Sequence, residues 1–151
     1  MDFEVLLDDA DAEGLEIKER PFRTYDGRIR GNNIYLRKDM DSTAKKCVLA
    51  EELGHHYTGI GNILDMSDTG NRKQERQARL WGYDKLIGLG RLISAYEHGC
   101  HDRFELAEYL EVTDEYLHEC IECYRDKYGP CVTVGDYYIM FIPNLQVGKI
   151  I

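Results

Sequence analysis

The eleven residues Cys47-Val48-Leu49-Ala50-Glu51-Glu52-Leu53-Gly54-His55-His56-Tyr57 constrain this chain more than any other stretch. Glu51 and His55 are four residues apart, and they can serve one purpose only if the segment is helical, because i and i+4 then stand one turn apart on one face. The pattern is that of H-E-x-x-H, in which two histidines hold a metal and the glutamate after the first activates a water. Here Glu51 occupies the place of the first histidine. His56 fixes the frame: pairing it with Glu52 would put Leu53, which carries no proton acceptor, at the position of the base. Ala44, Cys47 and Val48 share the helical face of Glu51, so Glu51 is expected to continue an apolar stripe. A lone carboxylate there is costly unless it is paired or bound to a cation. The competing reading of these five letters alone is a plain solvated helix, on which E-E-x-x-H arises by chance.

The surrounding sequence gives that helix its context. Asp41 or Ser42 is an N-cap for a helix running to about Tyr57. Ahead of it, Asp2 to Ala12 reads as a short helix ended by Gly14, and Leu15 to Arg20 alternates as a half-buried strand closed by Pro21. Arg28-Ile29-Arg30 and Ile34-Tyr35-Leu36-Arg37, set off by Asp26-Gly27 and Gly31-Asn32-Asn33, complete a small antiparallel sheet. Beyond a loop from Gly59 to Gly70, helices are expected over about Arg72–Ile87, Arg91–Glu97, Phe104–Leu110 and Asp114–Tyr128. Thr113 is an N-cap for the last of these, with Gly129-Pro130 as its stop. The tail reads as a hairpin of Cys131–Val134 and Tyr137–Phe141 around Gly135-Asp136. The expected fold class is therefore α+β, with a helical C-terminal half and a terminal hairpin.

A catalytic zinc site needs a third protein ligand and an open position for water. Glu75 is the leading candidate, since it shares a helical face with Ala78 and Gly82, small residues that let another helix approach. Asp65 and Asp68 in the preceding loop are reserves. Tyr25, Tyr35 and Tyr57 are candidates to assist an oxyanion, although most of 11 tyrosines must be structural. His56 reads as a neighbouring surface or supporting residue.

The segments Leu49-Ala50-Glu51-Glu52-Leu53-Gly54-His55-His56 and Glu75-Arg76-Gln77-Ala78-Arg79-Leu80-Trp81-Gly82 resemble the IrrE/ImmA-type metallopeptidase domain of phages, integrative elements and bacteria. Phe104 to Leu110, the Val112-Thr113 helix start and Phe141-Ile142-Pro143 are also similar to the version found in Gram-positive mobile elements. The resemblance implies a single domain over 1–151, with a zincin-like core at 1–98 and a helical and hairpin subdomain at 99–151. It implies Glu51, His55 and Glu75 as metal ligands and Glu52 as catalytic base. The implied activity is a zinc-dependent endopeptidase whose substrate is a helix-turn-helix repressor, cut to derepress phage, mobile-element or stress genes. Glu51 departs from the family pattern. Two carboxylates and one imidazole are a harder donor set than two imidazoles and one carboxylate, and they tolerate Mn²⁺ or Fe²⁺ beside Zn²⁺. A non-catalytic antirepressor, sequestering a regulator through the same surface, is the alternative.

Composition limits the other classes. A net charge of −9 argues against nucleic acid or an anionic membrane as the main partner. The longest apolar runs are only a few residues, and Met1-Asp2-Phe3-Glu4 lacks the positive start of a signal peptide, so a cytoplasmic location is expected. Five cysteines, an odd number, suit free thiols in a reducing compartment. Cys120-Ile121-Glu122-Cys123, with His98, Cys100, His101 and His118, lacks the second C-x-x-C of a structural zinc site and reads as thiols on an amphipathic helix. Residues 105–128 mimic a DNA-binding helix-turn-helix, but 101–130 carry nine acids against Arg103, Arg125 and Lys127. A recognition unit of net −6 repels phosphates, so this region is expected to pack and to dock a partner protein.

Overall fold

The computed structural model describes residues 1–59 and 69–151, which form two compact units, Met1–Lys85 and Leu86–Ile151. The loop carrying Asp65 and Asp68 lies outside the described residues.

The first unit begins with helix α1, Phe3–Ala12, where the Asp2 carboxylate accepts a hydrogen bond from the Val5 amide at 3.0 Å and so caps the N-terminus. Strands β1 (Glu16–Arg20), β2 (Gly27–Arg30) and β3 (Asn33–Arg37) follow, in the spatial order β1-β3-β2. The expected hairpin is present: β2 runs antiparallel to β3, with Ile29 opposite Ile34. β1 differs from the expectation of a wholly antiparallel sheet. It pairs parallel to β3, Ile17 beside Ile34, because the chain leaves β1 for the far edge before returning down the middle. Ile34 and Leu36 on β3 are fully buried, as is Leu6 on α1. They form one core with Ala10, Ile29 and the α2 residues Leu49, Ala50 and Leu53.

Helix α2, Ser42–Thr58, is fixed at both ends by local chemistry. The Asp41 side chain accepts from the Ala44 amide at 2.8 Å, and Gly59 closes the helix in the left-handed region that favours glycine. Two glycines bring other elements onto α2. At Gly27 on β2 an added Cβ would overlap Val48 and press on Glu52. At Gly54 it would strike the backbone of Ala78 on helix α3, Thr69–Leu86. The expectation that small residues on α3 permit a close crossing is met at Ala78, which is fully buried.

The second unit consists of α4 (Gly88–His98), α5 (Arg103–Leu110), α6 (Asp114–Tyr128) and an antiparallel sheet of β4 (Cys131–Val134), β5 (Tyr137–Met140) and β6 (Gln146–Lys149). Asp102 caps α5 through the Glu105 amide at 2.8 Å, and Thr113 caps α6 through the Tyr116 amide at 3.1 Å. Tyr124 and Phe141 anchor the core with Leu92, Leu117 and Ile139. The expected hairpin of β4 and β5 gains a third strand. β6 pairs with β5 where Gly148 lies against the Tyr138 ring, a space that no side chain could share. No described helix is long and apolar enough to cross a membrane.

Candidate metal centre

The crossing of α2 and α3 builds the site. Because Gly54 lies on the Ala78 backbone, Glu51 and His55, on either side of that contact along α2, meet Glu75, one turn before Ala78 on α3. Ligand atoms of Glu51, His55 and Glu75 all lie within 4.8 Å of one another, and this is the single such group of three among the described residues. His55 is at its centre. Its Nε2 is 2.8 Å from Glu75 Oε2, and its Nδ1 is 3.3 Å from Glu52 Oε2.

Burial divides the four side chains. Those of His55 and Glu52 are each 8% exposed, Glu75 is 12% exposed and Glu51 is 36% exposed. Glu51 thus follows the part-buried face of Ala44, Cys47 and Val48, but only at its edge. The carboxylate sunk into the fold is Glu52, beneath Gly27, whereas Glu51 stands at the rim facing Arg79 of α3. The reason is the direction of the buried face of α2, which runs through Leu49, Ala50 and Leu53 toward the core.

The charges respond to this arrangement. Burial alone would lower the pKa of His55, but hydrogen bonds to Glu52 and Glu75 and their negative charge prevail and raise it to about 10. Glu75 is held below the usual carboxylate range, first by its hydrogen bond to His55 and further by Arg79. Glu51 is pushed up by burial, reinforced by Glu52 and Glu75 and opposed by Arg79 and His55. A divalent cation entering such a cluster, one imidazole among three carboxylates, would compete with a proton for His55.

Residues 10–121 match the family described as the IrrE N-terminal-like domain, peptidase M78. The chain belongs to this metallopeptidase family. No curated protein and no solved structure matches it. Within the IrrE-like frame, the helical position that holds histidine in H-E-x-x-H holds Glu51, and the structure still brings that carboxylate to His55 and Glu75.

The other aromatic candidates make ring contacts of their own. Tyr57 stacks on Trp81 with centroids 4.8 Å apart and meets His56 edge-on, Tyr25 packs on Phe22, and Tyr35 lies under Arg20. The five cysteines form no disulfide among the described residues; Cys120 is buried on α6 and Cys123 half-buried. Arg79 is the residue that sequence reasoning passed over. Its Nε is 3.4 Å from Glu75 Oε1 and 3.6 Å from Glu51 Oε1. The signal for it was available, since Glu75 and Arg79 have the i, i+4 acid-to-base spacing of a helical ion pair.

Proposed function

We propose that this chain is a metal-dependent endopeptidase that cuts an exposed segment of a helix-turn-helix repressor and thereby derepresses phage or mobile-element genes. The observation that carries the reading is the convergence of His55, Glu51 and Glu75 from two helices pinned by a backbone contact, with Glu52 beside them. The donor set fits a single divalent cation, Zn²⁺ or, given two carboxylates, Mn²⁺ or Fe²⁺. His55 would bind through Nε2, with Glu52 on Nδ1 fixing the ring. When bound, the cation polarises a peptide carbonyl and makes water a better nucleophile at neutral pH.

The protein's own groups supply the rest. Glu52 accepts from His55 Nδ1 at Oε2, which leaves Oε1 to accept the proton of the attacking water and pass it to the leaving amine. Its burial and its contact with His55 Nδ1 hold that carboxylate in one place for both transfers. A repressor that binds DNA presents a basic surface, and the acids exposed on α5 and α6 are complementary to one.

Metal analysis together with Glu52→Gln tests the reading. We expect the substituted protein to keep its metal and to lose cleavage of a co-expressed repressor. Repressor control that survives Glu52→Gln would instead favour a non-catalytic antirepressor, and a wild-type protein that takes up no divalent metal would overturn the metal centre.

A further inference from the structure

Glutamate in place of histidine at position 51 adds a negative charge to a site that already contains Glu52 and Glu75. Two ligand carboxylates brought to one point repel each other before any cation arrives, and each must be turned toward a common centre. Arg79 stands where both difficulties could be met. One turn beyond Glu75 on α3, it reaches Oε1 of Glu75, the oxygen opposite the one held by His55, and Oε1 of Glu51 across the helix crossing.

We propose that Arg79 is the positioning residue that makes glutamate a working ligand at position 51, its guanidinium bridging Glu51 and Glu75 from outside, offsetting the added charge and orienting both carboxylates. The inference rests on the metal centre described above. Partners outside the ligand set commonly orient ligands in this way, and here one atom, Nε, stands at ion-pair distance from both carboxylates. Arg79 is 49% exposed, and an isolated ion pair at such a site contributes little. Here one of its partners, Glu75, is 12% exposed and backed by His55, so solvent screens the interaction poorly.

The test is the affinity of the full chain for Zn²⁺ and Mn²⁺, measured by chelator competition. It compares wild type, Arg79→Gln, Arg79→Lys, Glu51→His and the double variant Glu51→His/Arg79→Gln. Circular dichroism and melting of the metal-free forms check that each is folded. We expect Arg79→Gln to weaken binding by about 10- to 100-fold, the usual effect of losing such a partner, and Arg79→Lys to recover part of it. In the Glu51→His background the same Arg79→Gln change should cost at least about tenfold less, because the second carboxylate is gone. Binding by Arg79→Gln that equals or exceeds wild type overturns the proposal while leaving the metal centre intact. So does an equal loss in both backgrounds. A wild-type protein that binds neither ion overturns both.

Discussion

Helices α2 and α3 meet through backbone, Gly54 on Ala78, and hold His55 and most of Glu75 out of solvent at the crossing, with Glu52 covered from the sheet side at Gly27. Helices α5 and α6 are joined by the short turn Glu111-Val112-Thr113, and all nine acids of 101–130 stay in water. Both pairs are rich in carboxylates and each sets an imidazole beside one, yet only the first takes the group out of solvent. Desolvated charge persists in a fold only when something compensates it, whereas solvated charge costs almost nothing. The first pair therefore points to chemistry, whereas the acids of the second are simply solvated.

Removing His55 should break this contrast most severely. In metal-free protein, His55→Ala leaves Glu52 and Glu75 without their shared cation, and we expect a loss of about 3 kcal/mol in denaturant unfolding at neutral pH. The pH dependence gives the sign. The folded value for His55 lies above its ordinary 6.5, so its contribution is complete below about pH 6.5 and disappears as pH rises through about 10. Glu75 is shifted the other way, so its contribution is present at neutral pH and is lost on acidification. His55→Ala should flatten the alkaline limb of the stability profile.

Gly54→Ala comes next. Alanine is the better helix former, yet its methyl would strike the Ala78 backbone, so unfolding should show a loss of about 2 kcal/mol and weaker metal uptake. In the second unit the smaller Thr113→Ala change removes the α6 cap and should cost about 1 kcal/mol in the same measurement. Gly90→Ala sharpens the comparison by reversing the sign. Gly90 lies within α4 with nothing near its absent Cβ, so the substitution that damages α2 should here raise stability by about 0.5 kcal/mol. Glu119→Gln, on the exposed face of α6, should shift the unfolding midpoint least, by a few tenths of a kcal/mol or less.

Local signals made much of the fold legible. Asp41, Thr113 and Gly59 mark helix ends through side-chain and backbone chemistry that needs no tertiary partner, and the structure uses each as expected. The β2–β3 hairpin follows from its turn residues for the same reason. β6 was not legible: Gln146-Val147-Gly148-Lys149 has one β-branched residue and a glycine, and its strand character comes from pairing with β5 around the Tyr138 ring. The parallel partner of β1 is likewise decided by the path of the chain rather than by its own letters. At the site, spacing along one helix brought out Glu51, Glu52 and His55, and the small face of α3 brought out Glu75. Which carboxylate is sunk and which stands at the rim depended on the sheet above α2, through Gly27, and could not be read from α2 alone.

The Gly54–Ala78 contact separates the placement of the site from its composition. A junction made of main chain is indifferent to which donor projects beside it, so an imidazole at residue 51 can give way to a carboxylate without the two helices moving apart. The place of the candidate site is thus fixed by main chain, while the donors it offers are set by single side chains.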